Sequence, residues 1–325
     1  MINDHILSFL QNSKNLLAFS AGVDSTALFF ILLEHDIDFD IAIVNYNIRQ
    51  EAKDEIEYAK ELANKYKKRI FIANAPSFNS NFEKLARDFR YSFFKEIIER
   101  NGYENLLTAH QLNDKLEWLL MRLAKGAGCS ELAGIKEIDE RDSYSLIRPL
   151  LKYGKDELLE YLKKSNIKYF VDSSNFSKKY ERNRFRDLSD MLIKKSGKAG
   201  FVKSFEILAK ESAILSLNYK LLFKQKEFLV IKVLNRDLVA NAASKYLKEL
   251  GYLISGKERE ELIKNGSIVA GRVWAVEFKE DILYIAPYIK TVMPKEFKEE
   301  CRVKKIPPKT RGYLYIEKIA PQGNY

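Results

Sequence analysis

The stretch NLLAFSAGVDSTALFFILLEH, residues 15–35, joins two apolar runs through a short turn of small and hydroxyl-bearing residues. The first run has the length of a buried strand and the second has the length of a helix. A strand that enters a helix through a tight turn leaves backbone N–H groups unpaired, and the aligned peptide dipoles add partial positive charge there. The turn therefore predicts an anion site, to which Ser20 and Ser25 add hydroxyl donors.

Asp24 is the unexpected residue of this turn, because a carboxylate beside a phosphate requires a cation between them. Magnesium on a nucleotide is the economical explanation. Ala21 and Gly22 are small enough to let a phosphate approach the backbone, and Val23 completes the turn. The alternative is that Asp24 and Ser25 form an ordinary helix cap.

The first half of the chain alternates short apolar runs with helical patterns. Strands are predicted at 16–20, 41–47, 69–75 and 105–110, and helices near 24–35, 51–67, 83–100 and 114–125. This order is typical of an α/β fold with a doubly wound parallel sheet covered on both faces. Ligands of such sheets bind beyond the carboxyl ends of the strands, so residues 20–25, 45–49 and 110–114 are expected at the site.

The pattern of predicted elements changes near residue 216, from strands alternating with helices to short strands around a single helix. We expect residues 1–215 to form an α/β domain with a helical extension, and 216–325 a smaller basic α+β domain. Residues 207–225 are predicted to form a long joining helix. The C-terminal stretch 301–318 mixes basic and aromatic residues, which suits RNA contact but also suits a proline-anchored loop followed by a strand.

Composition limits the function classes. The net charge is +10, and residues 216–325 carry 21 Lys/Arg against 13 Asp/Glu, which favours a polyanionic partner for that part. Two cysteines outside any CxxC pattern and three isolated histidines argue against disulfide, zinc and iron–sulfur sites. No apolar run is long enough for a membrane helix, so we expect a cytoplasmic protein.

Five segments in order carry a resemblance to a known family. SAGVDS (20–25) resembles the S-G-G-x-D-S signature of the PP-loop ATP pyrophosphatases, with Ala21 where Gly is usual. The further segments resemble those of the tRNA(Ile)-lysidine synthetase family within that group. They are IVNYNIRQEAKDEIEYA (43–59), EKLARDFRYSFFKEI (83–97), TAHQLNDKLEWLLMRLAKGAGCSELAGI (108–135), and IRPLL (147–151) with FVDSSNFSKKYERNRFR (170–186).

The resemblance implies a two-step ligation with ATP and Mg²⁺. ATP would adenylate the C2 oxygen of the wobble cytidine in the CAU anticodon of tRNA(Ile), and the ε-amine of free lysine would then displace AMP. In this family residues 20–25 would bind ATP, and Asp24 and Asp114 would be the catalytic and metal-binding carboxylates. The resemblance also implies a homodimer.

Further residues match the family's motifs and are predicted to contact tRNA, lysine or phosphate: Arg87, Arg90, Tyr91, His110, Asn113, Arg122, Arg182, Asn183 and Arg186. Each has a plainer alternative. Asp114 could cap a helix, His110 could belong to the core, and Arg87 with Tyr91 could form a solvated face on the helix whose apolar side is predicted as residues 82, 85, 89, 93 and 97. Asp172 and Asn175 are predicted to fix loop geometry.

Three other functions remain open at this stage. A tRNA cytidine thiolase would use the same ATP chemistry, but paired cysteines are absent. A small-molecule PP-loop ligase would have no need for the basic C-terminal third. A non-catalytic RNA-binding relic is kept open by Ala21 and by Asn113, which stands where the family shows a second Asp.

Overall fold

A computed structural model describes residues 2–46, 51–78, 82–171 and 181–321, without the side chains of residues 51 and 181–183. The chain divides into two compact units. The first comprises Met1–Glu117 and Ile135–Val202, and the second comprises Trp118–Gly134 and Lys203–Tyr325. Among the residues that the structure describes, no helix is both long enough and apolar enough to cross a membrane.

The helices and strands alternate through the first half, as the apolar runs predicted. The helices are α1 Asp4–Gln11, α2 Val23–Glu34, α3 Glu51–Lys65, α4 Phe82–Asn101, α5 Leu112–Leu123, α6 Cys129–Leu132, α7 Lys155–Lys164, α8 Glu181–Ser196, α9 Ala199–Ser216, α10 Val239–Glu249, α11 Gly256–Asn265, α12 Lys295–Val303 and α13 Arg311–Ile316. The strands are β1 Asn15–Ala18, β2 Phe39–Asn45, β3 Ile70–Asn74, β4 Asn105–Leu107, β5 Ile138–Glu140, β6 Ser145–Ile147, β7 Tyr219–Gln225, β8 Phe228–Val233, β9 Ser267–Ala270, β10 Trp274–Lys279 and β11 Ile282–Pro287.

The first unit is built on a six-stranded sheet in the order β3-β2-β1-β4-β6-β5. Every pair is parallel except β5 with β6. The predicted α/β class is confirmed. Chain order reverses between β1 and β4, so the carboxyl ends of these two strands form the switch point at which ligands bind in such sheets.

Helix α2 is apolar on nearly every side, because it is enclosed by the core that lies over β1. Leu28, Phe29, Ile31 and Leu32 are fully buried, and Phe29 meets the ring of Phe39 edge-to-face at 5.1 Å. This packing fixes the start of α2 over the end of β1, and thereby fixes the turn between them.

Helix α4 buries a different face from the predicted one. Its buried side chains are Ala86, Phe94, Ile97 and Ile98, whereas Leu85, predicted to be apolar core, is exposed. The buried face of α4 differs from the predicted one because it is set by the strands on which the helix packs. These strands contribute Leu16, Leu106 and Leu146 to the same core cluster.

The second unit contains a five-stranded antiparallel sheet in the order β7-β8-β11-β10-β9. The predicted helix over 207–225 is wrong, because α9 ends at Ser216 and residues 219–225 pair with β8. Tyr219 and Leu221 both face the core of this sheet, as residues two apart on a strand do.

The C-terminal stretch 301–318 differs from the predicted loop and strand, while its contact with RNA stays a prediction. It contains the end of α12, a turn and the short helix α13, with no strand. Tyr313 is buried and Tyr315 packs on Phe297 at 5.2 Å between ring centroids, so these rings serve the core of the second unit.

Candidate active site

The turn after β1 forms a hydroxyl-lined cradle. Ser25 Oγ accepts a hydrogen bond from the backbone N–H of Ser20 at 3.2 Å and lies 3.0 Å from Ser20 Oγ. Gly22 is the N-cap of α2 and has no side chain to satisfy the first N–H groups of the helix, which begins at Val23. The arrangement has the features of an anion site: small residues, hydroxyls and a helix start.

Ala21 adopts a backbone conformation that side chains disfavour. Its φ is +56°, in the left-handed region where the Cβ atom crowds the following carbonyl. Its carbonyl accepts the N–H of Phe170 at 2.9 Å, and Gly22 forms an isolated bridge with Phe170. The turn is therefore held from outside its own segment, which explains how alanine is tolerated where the signature has glycine.

Asp24 projects from the first turn of α2 into a cluster of charges. Its Oδ1 atom is sealed from solvent and has no hydrogen-bond partner among the described residues. Burial, with smaller contributions from the carboxylates of Asp114 and Asp190, raises the pKa of Asp24 from 3.8 to about 7. Lys155 and Arg186 lower the same pKa without offsetting these effects.

The cluster carries more negative than positive charge. Glu117 is buried and lies 3.6 Å from the Nε atom of Arg186. Together with Glu117, three aspartates face two cationic side chains, so the formal charge is −2 when all are ionised. A buried carboxylate oxygen without a partner in such a cluster is a good acceptor for a cation.

Magnesium fits these residues. In the described part of the chain no three acidic, histidine or cysteine side chains converge as a complete metal cage. Magnesium commonly takes only one or two protein carboxylates and completes its shell with water and substrate phosphates. Asp24 and Asp114 would supply such carboxylates, and their role as metal ligands stays a prediction.

The start of α5 brings several predicted residues together. Asp114 Oδ2 accepts the N–H of Gln111 at 2.9 Å, so this side chain does cap the helix, and its charge also acts on Asp24. His110 is half-buried, with Nδ1 2.9 Å from the hydroxyl of Thr108. The plainer alternatives, a core histidine for His110 and a helix cap for Asp114, therefore hold in part. The contact of both residues with substrate stays a prediction.

Asn113 is a buried junction between three helices. Its Nδ2 donates to Asp190 Oδ1 on α8 at 2.6 Å, and its Oδ1 accepts the backbone N–H of Lys155 at the start of α7 at 3.1 Å. The amide therefore fills a role that a carboxylate could not fill, because an Asp here would face Asp190 without a donor. The missing second Asp is explained by this partner.

The sequence analysis missed four residues of this cluster: Glu117, Lys155, Asp190 and, as its neighbour, Gln111. Two of them carried a local signal, because Glu117 follows Asp114 by three positions and Asp190 follows Arg186 by four, which places each pair on one helix face. Lys155 carried none, since only the tertiary fold brings the start of α7 to Asp24.

A cavity of about 460 Å³ adjoins the cluster. Asn113, Lys155 and Asp190 line it together with Gly154, Asp156, Glu157, Met191, Ile193, Lys194 and Lys198. Its wall is mixed in charge, and Lys198 pairs with Glu157 there.

Arg87, Arg90 and Tyr91 lie on α4. The guanidinium of Arg87 stacks 5.1 Å from the ring centre of Tyr91, which confirms that the two share one side of the helix. Arg90 hydrogen-bonds to the hydroxyl of Tyr46, which also donates to the carbonyl of Ala86 at 3.2 Å. Burial raises the pKa of Tyr46, with Arg90 opposing the rise.

Arg122 has a different setting, because it belongs to the second unit. Its guanidinium is buried, donates to Glu131 through Nε at 2.8 Å, and reaches the carbonyl of Ile254. Glu131 also pairs with Arg259. These partners favour a structural role over the predicted substrate contact.

The remaining predicted residues lie on or before α8. Arg186 joins the charge cluster through Glu117 and Asp24. The side chains of Arg182 and Asn183 lie outside the described residues, as do Asp172 and Asn175.

Comparison with known proteins agrees with this geometry. A family model described as a PP-loop domain matches residues 2–192. A tRNA(Ile)-lysidine synthase from Campylobacter jejuni subsp. jejuni serotype O:2 is 43% identical over 98% of this chain and 97% of its own length. The chain belongs to the tRNA(Ile)-lysidine synthase family. The family predicted from the five motifs is therefore confirmed.

Other members of the tRNA(Ile)-lysidine synthase family show the same extent of likeness. The enzyme so named from Wolinella succinogenes is 45% identical over 95% of both chains, and that of Helicobacter pylori strain 26695 is 37% identical over 95% of this chain and 91% of its own. A solved U34-tRNA thiolase from Methanococcus maripaludis has a TM-score of 0.54 at 20% identity, covering 64% of this chain and 75% of that one. At that identity the likeness concerns the fold alone.

Proposed function

We propose that this protein uses ATP to ligate lysine to C2 of the wobble cytidine in the CAU anticodon of tRNA(Ile), giving lysidine. The observation that carries the proposal is the likeness to tRNA(Ile)-lysidine synthases over 95% or more of both chains. Membership of a PP-loop family supports the use of ATP.

The first step joins cytidine to AMP. The C2 oxygen of the base attacks the α-phosphorus of ATP, the bond to the β-phosphate oxygen breaks, and pyrophosphate leaves. The cradle of Ser20, Gly22 and Ser25 would hold the leaving pyrophosphate by backbone N–H groups and hydroxyls. Such transfer requires positioning and charge stabilisation rather than a side-chain nucleophile.

Asp24 and Asp114 would hold the magnesium ion that, when bound, neutralises phosphate charge. Lys155 and Arg186 keep the cluster from being uniformly negative, so an anionic triphosphate can approach it. Glu117, 3.6 Å from the Nε atom of Arg186, would orient this guanidinium.

The second step forms the C–N bond. The ε-ammonium of lysine gives up a proton to solvent, the resulting amine attacks C2, and the C2–O bond breaks so that AMP leaves with the former C2 oxygen. Lysine approaches as a cation, and the excess of carboxylates around Asp24 and Asp114 supports its attraction to this site.

Recognition of the tRNA is assigned to residues 216–325, which carry most of the net positive charge. A homodimer and a cytoplasmic location are likewise proposed. Light scattering of the purified protein measures the first of these directly.

Mass spectrometry of wobble nucleosides tests the function. tRNA(Ile) is incubated with the protein, ATP and lysine, and lysidine is expected only when all three are present. A mass increase that corresponds to replacement of the C2 oxygen by sulfur, in the presence of a sulfur donor, would indicate a thiolase. Absence of any tRNA-dependent ATP–pyrophosphate exchange would indicate a non-catalytic RNA-binding protein.

A further inference from the structure

Arg148 is a buried cation at the carboxyl edge of the sheet. It follows β6 directly, and β6 runs parallel to β4, so Arg148 emerges at the same edge as His110. Its side chain is 7% exposed, and its Nη1 donates to the carbonyl of Lys136 at 2.8 Å. Its Nε atom is buried with no hydrogen-bond partner in the described ranges.

The charge of Arg148 is incompletely neutralised. Its nearest carboxylate, Asp139, lies 3.8 Å from Nη2, and the same oxygen already accepts Arg141 at 2.7 Å. Two further cations, Arg87 and Arg141, lie close enough to act electrostatically on Arg148, whereas Asp139 is the one carboxylate among the described residues that does so. Burial is the main reason that the pKa of Arg148 is lowered, and the two neighbouring guanidiniums lower it further. A buried cation with so little compensation produces positive potential around it.

Arg87 lies at the solvent side of this potential. Its guanidinium lies over the ring of Tyr91, and Tyr91 packs with Tyr144 against the core cluster that contains Leu146 of β6. Within the described residues no carboxylate lies at salt-bridge distance from exposed Arg87. A guanidinium over an aromatic ring keeps N–H donors available, and the fork of these donors matches the geometry of a phosphate.

We propose that Arg87, Tyr91 and Arg148 form a binding surface for a backbone phosphate of the RNA substrate. Arg87 contacts the phosphate, Tyr91 supports the guanidinium from one side, and the buried charge of Arg148 attracts the anion as a positioning residue. This inference rests on the proposed function for the presence of an RNA substrate. RNA is favoured over ATP as the source of the phosphate because Arg87, the contacting residue, lies on α4, whereas the proposed cradle for ATP lies at the start of α2.

The test measures tRNA(Ile) affinity by fluorescence anisotropy over a series of salt concentrations. The variants are Arg87→Gln, Arg148→Met and Arg148→Lys, with Arg100→Gln as the control, an exposed arginine on the same helix that pairs with Glu96. Arg87→Gln and Arg148→Met should each weaken binding, and Arg87→Gln should lower the slope of log affinity against log salt by roughly 0.7–0.9. Arg148→Lys should keep most of the affinity because it keeps the charge, and Arg100→Gln should match the parent.

Thermal unfolding and binding of a fluorescent ATP analogue complete the design. Both should be unchanged in Arg87→Gln, which carries the test by itself if Arg148→Met does not fold. An unchanged salt slope in Arg87→Gln would overturn the proposal, and so would a loss of nucleotide affinity without a loss of tRNA affinity, since the phosphate would then belong to ATP. If Arg87→Gln lowers the salt slope of tRNA affinity but the parent protein makes no lysidine, the phosphate-binding surface is supported and the proposed function is refuted.

Discussion

At the scale of single residues, Asp24 links the stability of the protein to pH. Its folded pKa of about 7 exceeds the ordinary 3.8, so ionisation disfavours the folded state. The stabilising contribution is complete below about pH 4 and is lost as the pH rises through 7. Each pKa unit corresponds to about 1.4 kcal/mol.

Asp24→Asn should therefore raise the melting temperature of the ligand-free protein at pH 8, relative to the parent, and leave it nearly unchanged at pH 4. The same variant should abolish tRNA-dependent pyrophosphate release, because the proposed magnesium ion would lose a ligand. Calorimetry at both pH values and a pyrophosphate assay measure the two effects. Exposed Asp54→Asn serves as control, and normal turnover in Asp24→Asn would refute the bridging role.

Ala21 gives a second prediction at this scale. Because its φ is +56°, Ala21→Gly relieves backbone strain and should stabilise the protein by about 0.5–1 kcal/mol despite the entropy of glycine. The matched control is Ala27→Gly inside α2, which should lose about 1 kcal/mol or more. Denaturant unfolding measures both, and a destabilised Ala21→Gly would mean that the turn is not strained.

At the scale of elements, the packing of α5, α7 and α8 depends on Asn113. Asn113→Asp, which restores the family's usual pair of aspartates, should lower the melting temperature because two carboxylates would then meet across a 2.6 Å contact. Adding Asp190→Asn returns one donor and one acceptor to that contact and should recover most of the loss. Equal melting of the single and double variants would show that the contact is not a junction.

At the scale of the whole molecule, the uneven charge predicts where RNA binds. Neutralising four exposed lysines of the C-terminal part to glutamine should flatten the salt dependence of tRNA affinity by up to roughly 0.7–0.9 per lost contact. The four are Lys220, Lys224, Lys257 and Lys264. The control neutralises four exposed lysines of the first unit, namely Lys53, Lys60, Lys95 and Lys164, and should change the slope little.

Deleting residues 216–325 would be a poorer test. The second unit also contains Trp118–Gly134, and Glu131 there is paired with Arg259 of the C-terminal part. Removing Arg259 would leave Glu131 and Arg122 buried with one partner lost, which destabilises a buried ion cluster.

The sequence by itself determined the α/β class, the turn of residues 20–25 and the family. These depend on local properties: apolar runs of strand and helix length, small residues beside hydroxyls, and motifs in a fixed order. Asp24 and Asp114 could be chosen because both follow strands of one parallel sheet, whose carboxyl ends share an edge.

Only the tertiary structure decided which charges surround Asp24 and what occupies the other predicted positions. Lys155 and Asp190 reach the cluster from α7 and α8. The buried guanidinium of Arg122, predicted to contact substrate, donates to Glu131. Residues 219–225 became a strand because β8 offered backbone partners, which a helical pattern of side chains does not reveal. The physical reason is common to all three: pairing of buried charges and backbone groups is settled by neighbours distant in sequence, whereas periodicity reports only neighbours along the chain.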